Sequence, residues 1–330
     1  MLATRIILVV APLIGLIVSP HFVFAQDQKS ATDKAAAAAA QKMAGKQKYD
    51  LKYKFAAGEE VRWNVEHVAT TKAQIAGKHE TTSSRTESTK LWKVSSIDSI
   101  GNITFVHSVE STSLWQQIGE DEPVSYDSKQ DEEPPQEFAA ACDMIGKPLA
   151  VVTISPNGKV IDRKSEAMQV GFGVGDICVP LPEEPISIGH QWFVPTVFDA
   201  TDEDGKRLKL KARLNYEFLK VVTGGLAVIS FKTEILTPIE SDQVRSQLLQ
   251  KLNHGYVAFD IAKGRLNTKE VRWNEKVQEY AGADSHLQYN GRMTEKIVDA
   301  KDIKGNDRLS KTPVERQKIK RPGDKPIIRN

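Results

Sequence analysis

The sequence is poor in cysteine, with two in 330 residues, Cys142 and Cys178. That excludes a disulfide-dense scaffold and a four-cysteine zinc site. Net charge is only +2, so the whole chain has no bias toward nucleic acid or acidic partners. Apolar residues make up 40%, somewhat below the usual globular share. After the first 25 residues no apolar run approaches the length of a membrane helix. The chain also lacks a Gly-x-Ser-x-Gly elbow, a His-Glu-x-x-His pair, a Cys-x-x-Cys pair and a P-loop. The glycine-rich stretch 171–175 has neither the spacing nor the strand-turn-helix setting that a dinucleotide needs, and reads as a loop.

What is present begins with a three-part leader. Arg5 gives a positive start, residues 6–18 form an apolar run broken by Pro12 and Gly15, and Val23-Phe24-Ala25 precedes a cleavage point. This predicts a signal peptide over 1–25, leaving Gln26 as the new terminus, rather than an uncleaved anchor. The run is too short to span a bilayer comfortably. No cysteine follows the cut, which argues against a lipid anchor. The expected location is the periplasm, the envelope or the exterior of a bacterium, with no transmembrane segment after cleavage. In that oxidising setting Cys142 and Cys178 could pair, and a pair of buried thiols is equally open.

Residues 26–48 are polar and small, with alanine from Ala35 to Ala40, and read as a disordered tether. Residues 301–330 carry ten Lys/Arg against four Asp/Glu and no aromatic side chain, so 299–330 reads as a disordered basic tail. The tail suits an envelope protein or a polyanion. Without interleaved aromatics it does not suit nucleic-acid recognition.

Between these ends the period is two. Val61, Trp63, Val65 and His67 alternate with Arg62, Asn64 and Glu66. Leu214, Tyr216 and Phe218, then Ile229 and Phe231, then Val257, Phe259 and Ile261, do the same. Such alternation predicts antiparallel strands with one face on a core. Turn signals at Gly101-Asn102, Asn157-Gly158, Asp204-Gly205, Gly224-Gly225 and Lys263-Gly264 separate the runs. The order of turn, tryptophan strand, polar strand, glycine turn, short helix and hairpin occurs twice, around Trp63 and around Trp192. The helices are expected within 135–145 and 242–252. The expected organisation is a first β unit over 49–178, a Pro-rich linker over 179–189 and a second β unit over 190–298. The fold class is mainly β, with tandem antiparallel units forming curved sheets or half-barrels.

The succession of Gly58-Glu59, 91–94 with 101–109, Pro156-Asn157-Gly158, Gln191-Trp192 and Asp260 with Gly264 resembles an uncharacterised family of exported bacterial β-proteins, a domain of unknown function. The likeness covers roughly 50–298. It implies a fold and brings no activity, cofactor or catalytic residue. By architectural analogy such sheets resemble lipoprotein-carrier-like half-barrels that hold acyl chains.

His67 and His107 fall on apolar strand faces, whereas Glu66 and Glu110 face the other way, so a metal site lacks its further ligands. The acids Asp199, Asp202 and Asp204 lack calcium-loop spacing, and 120–122 and 131–133 read as solvated loops. The sequon at Asn102 reads as accidental in a bacterial protein. No catalytic, cofactor or metal residue is assigned. The preferred reading is a non-enzymatic exported protein that binds a lipid or other apolar or amphipathic small molecule in a β cleft. The cleft would be lined by Trp63, His67, Phe105, His107, Trp192, Tyr216, Phe218 and Phe231. A structural or interaction module of the cell envelope and a hydrolase with an unrecognised site are the alternatives.

Overall fold

A computed structural model describes residues 47–165 and 178–298. The leader, almost all of the alanine-rich tether, the 171–175 glycine stretch and the basic tail lie outside the described residues. Alternation and glycine turns produce twelve strands: β1 (Glu60–Ile75), β2 (Lys78–Ile97), β3 (Ile103–Ile118), β4 (Val124–Asp127), β5 (Pro148–Ile154), β6 (Val160–Ser165), β7 (Gln191–Thr201), β8 (Arg207–Val222), β9 (Leu226–Ile235), β10 (His254–Asp260), β11 (Arg265–Gln278) and β12 (His286–Ile297). Two short helices accompany them, α1 (Ala139–Cys142) and α2 (Asp242–Ser246).

All strand pairs are antiparallel and belong to one sheet, in the order β6-β5-β3-β2-β1-β12-β11-β10-β9-β8-β7, with β4 on β3. The repeat is visible in this order. β6-β5-β3-β2-β1 and β11-β10-β9-β8-β7 follow the same spatial sequence, and β12 sits between them. Trp63 on β1 faces Ile297 on β12, and Val271 on β11 faces Met293.

The sheet curls, and the backbone shows by how much. Tyr53 N–H donates to Pro156 O in the β5–β6 turn at 2.7 Å, and the next residue, Lys54, donates to Gly264 O in the β10–β11 turn at 2.9 Å. On a flat sheet, β5 and β11 would lie about 24 Å apart, five strand spacings. Only a curved sheet brings both turns to neighbouring residues. The inner, concave face carries the main core, which includes Trp63, Trp92, Phe105, Phe218 and Phe259.

Two extended segments cover that face. Residues 47–56 contribute Leu51 and Tyr53 to the core, and residues 178–188 contribute Val179, Leu181 and Ile186. Tyr49 and Ile186 form an antiparallel bridge, and the Tyr53 hydroxyl both donates to Val179 O (3.2 Å) and accepts its N–H (3.0 Å). Prolines at 180, 182 and 185 punctuate the second segment, and its apolar side chains pack inward. Glycine permits the close approach. A Cβ at Gly158 (φ +79°) would sit 2.5 Å from the Tyr53 ring, and one at Gly264 (φ +62°) would sit 2.6 Å from Lys52 O.

Satellite clusters close the rest of the inner face. Phe138, just before α1, packs on Leu114 and Tyr126. Ser241 caps α2 by accepting the Val244 N–H, and Val244 and Leu248 pack on Ala200 and Leu210. Both helices fall within the segments expected from the sequence. In this structure Cys142 and Cys178 are not joined to one another. Cys142 packs beside the Leu114 cluster, Cys178 lies in the main core, and burial pushes the Cys142 thiol up to about 11.

β7 is a sheet edge, and two devices blunt it. The side-chain amide of Gln247 accepts the Thr201 N–H (2.9 Å) and donates to Thr201 O (2.6 Å). Thr201 therefore turns its backbone groups away from β8, and by alternation so does Pro195, which has no N–H to offer another strand.

Candidate functional site

The eight side chains singled out in the sequence all lie on the inner face, where they form its packed interior. Trp63 and Trp92 approach at 4.8 Å, and Trp92 stacks on Phe105 at 4.1 Å. Further along the face Trp192, Tyr216 and Phe231 form a row with ring separations of 5.4 and 6.2 Å, and Phe218 meets Tyr49 at 5.4 Å. The covering segments occupy the space that a cleft would need: Trp63, Phe105, Tyr216, Phe218 and Phe231 are buried core members, and Trp192 packs against them half-buried. Alternation identifies the face; it does not reveal that extended segments of the same chain lie on it.

The two histidines are separated. His67 faces Thr86 on β2, whereas His107 faces Trp92, six residues further along the same strand and about 20 Å away. His67 bonds the Tyr289 hydroxyl at 3.3 Å and packs on Trp273. Glu66 and Glu110 lie on the outer face, paired with Arg292 (3.9 Å) and Arg62 (2.7 Å). Among the described residues no three His, Cys, Asp or Glu side chains converge to hold a metal ion.

Three buried charges went unrecognised. Lys90 pairs with Glu295, and its ammonium lies 4.8 Å from the Trp63 ring centre. Lys269, directly opposite Glu295, sits 5.8 Å from the Phe231 ring. Burial, and then the Lys90 charge, lowers the His107 pKa to about 3, so the ring is neutral at physiological pH. Their signal was available: Lys90 shares the parity of Trp92 and Val94, and Glu295 that of Met293 and Ile297.

The groove lies on the other face. It is lined by outward-parity residues of β7 to β10 together with Trp192, Tyr216, Phe231 and Gly255, and has a volume of about 640 Å³. Phe193 and Tyr256, 59% and 51% exposed, supply aromatic surface. Arg213, Asn215, Lys232 and His254 supply polar groups, with Glu217 at one side. Arg213 lies over the Phe193 ring at 5.7 Å and donates to Glu234 at 2.8 Å; Asn215 donates to the same carboxylate at 2.8 Å. These hydrogen bonds, Asn215 first, hold Glu234 below the ordinary carboxylate range. Phe193 and Tyr256 could have been noticed in the sequence, because each breaks alternation by placing a ring on the polar face beside an inward apolar neighbour.

Fold and site thus define a mainly β protein with a packed concave face and an open groove on its convex side. No family model matches the chain, so none supports the resemblance to an exported bacterial family. No curated protein matches either. Among solved structures, one described as lipid–protein interactions in lipovitellin superposes with a TM-score of 0.42 at 9% identity, over 74% of this chain and 26% of that chain. This chain therefore spans about a quarter of the lipovitellin chain.

Proposed function

We propose that this is an exported, non-enzymatic binding protein that takes an amphipathic ligand in the groove of the outer β7–β10 face. The observation that carries it is a 640 Å³ groove with two exposed aromatic rings beside Arg213, Lys232 and His254. Binding sites combine apolar surface with a few oriented polar groups, and exposed aromatic patches mark places where something docks. Phe193 and Tyr256 would take the apolar part. Arg213, 5.7 Å from the Phe193 ring centre, and Lys232 would take an acidic or hydroxylated end.

The test is native mass spectrometry of the mature chain recovered from a bacterial envelope, with extraction and identification of bound small molecules. A retained amphipathic molecule is expected, together with at least a tenfold weaker hold in a Phe193→Ala/Tyr256→Ala double variant, since each ring removes about 1.5–3 kcal/mol of burial. A ligand-free protein, or equal retention by the variant, overturns the reading. Export is tested separately: N-terminal sequencing of the mature protein is expected to begin at Gln26.

A further inference from the structure

We infer that the outer face of β7 and β8 rests on a lipid bilayer surface bearing anionic headgroups. On β8, Arg207, Lys209, Lys211 and Arg213 share the outward parity and form a row about 20 Å long. Arg207, Lys209 and Lys211 are exposed and make no ion pair among the described residues; Arg213 is held by Glu234. One strand over, the same face of β7 presents Phe193, Pro195 and Val197, with Phe193 59% and Val197 54% exposed. A cation row flanked by an apolar row is the chemistry of an interface that is negative at its surface and apolar just beneath.

The position favours contact. The ladder with β9 ends at Ala212–Ile235 and residues 236–237 still bond the Lys211 backbone, so among the described residues the part of β8 from Arg207 to Lys209 has β7 as its only strand neighbour. The carboxylates on this face are few. Asp199 stands opposite Lys209, Glu234 is engaged by Arg213, and Glu217 lies at the far end of the groove. In the adjoining turn, Asp202 accepts the N–H groups of Asp204 and Lys206, and Glu203 accepts the Ser241 hydroxyl. A soluble polyanion would use the cations alone. The exposed phenylalanine and valine beside them favour a bilayer, which offers both a charged surface and an apolar interior.

The experiment is co-sedimentation of the mature full-length protein with phosphatidylglycerol/phosphatidylcholine vesicles, pure phosphatidylcholine vesicles and soluble polyphosphate. Binding to the anionic vesicles that weakens with salt is expected, with little binding to phosphatidylcholine. Lys209→Gln/Lys211→Gln is expected to lower partitioning about thirtyfold. Val197→Ser is expected to weaken vesicle binding and leave polyphosphate binding unchanged. Equal binding to neutral vesicles, no effect of the lysine pair, or vesicle binding indifferent to Val197→Ser and matched by polyphosphate, each overturns the inference. None of these three residues lines the groove, so ligand retention by the same variants is expected to equal that of the parent. Loss of vesicle binding and loss of groove ligand are therefore separable results.

Discussion

Lys90 on β2 and Glu295 on β12 form an ion pair over the intervening strand β1, with side chains only 5% and 6% exposed. Two tryptophans, Trp63 and Trp92, flank the ammonium. Removing one partner leaves a dehydrated charge without its counter-ion, which costs about 3–5 kcal/mol. Glu295→Gln and Lys90→Met are each expected to lower the urea midpoint accordingly. The double variant Lys90→Met/Glu295→Leu is expected to recover most of the loss, because apolar groups of similar size can replace a buried pair. Single variants within 1 kcal/mol of the parent would show that the pair is hydrated.

His107 makes folding sensitive to acid. Its folded pKa is about 3 against an ordinary 6.5, so as pH falls the unfolded chain takes up a proton before the folded one. The site adds no penalty above pH 6.5. Between 6.5 and 3 it removes about 1.4 kcal/mol of stability per pH unit. Comparing urea unfolding of the parent and His107→Leu at several pH values isolates this term. The difference between them is expected to shift toward the variant as pH falls, and parallel curves would refute it.

Gly255 lies where β10 presses on β11. An added Cβ would stand 1.9 Å from Glu270 O, an overlap with backbone that no side-chain rotation relieves. Gly255→Ala is expected to lose more than about 3 kcal/mol or to fail to fold. Gly58, at φ +80° with nothing within 4 Å of such a Cβ, is the control. Gly58→Ala carries only the left-handed backbone penalty of about 1–2 kcal/mol. Thermal melting of the two variants side by side distinguishes overlap from conformation.

Pro195 and Gln247 keep the β7 edge from pairing with another strand. A Pro195→Val/Gln247→Ala variant restores an outward N–H and uncovers the Thr201 backbone groups. More association than the parent is expected in analytical ultracentrifugation, growing with concentration. Unchanged sedimentation would mean that the edge is protected by other means.

The sequence revealed the strands that announce themselves. Glycine turns at Gly101, Gly158, Gly205, Gly224 and Gly264 all adopt positive φ, and alternation placed Trp63, Phe105 and Phe218 on the correct common face. The β1–β2 turn at Ala76-Gly77 was missed because alanine occupies a positive-φ position (49°) where asparagine or aspartate usually signals the turn. β12 was missed for another reason. Leu287, Tyr289 and Met293 are its buried apolar residues, Gly291 interrupts them, and Glu295 occupies an inward position. Its strand character comes from neighbours on both sides, which a local pattern cannot supply. The groove was illegible for a similar reason: Phe193 on β7, Arg213 on β8, Lys232 on β9 and Tyr256 on β10 meet only through cross-strand register.

The place of β12 also bears on how the chain matures. Residues 286–297 supply the seam that joins β1 to β11, with the pairs Trp63–Ile297 and Gln74–His286 closing the middle of the sheet. A ribosome-bound chain that has not yet delivered this stretch possesses two half-sheets with exposed seams. Closure must therefore wait for nearly the last described residues, which makes truncation ahead of position 286 more damaging than its short length suggests.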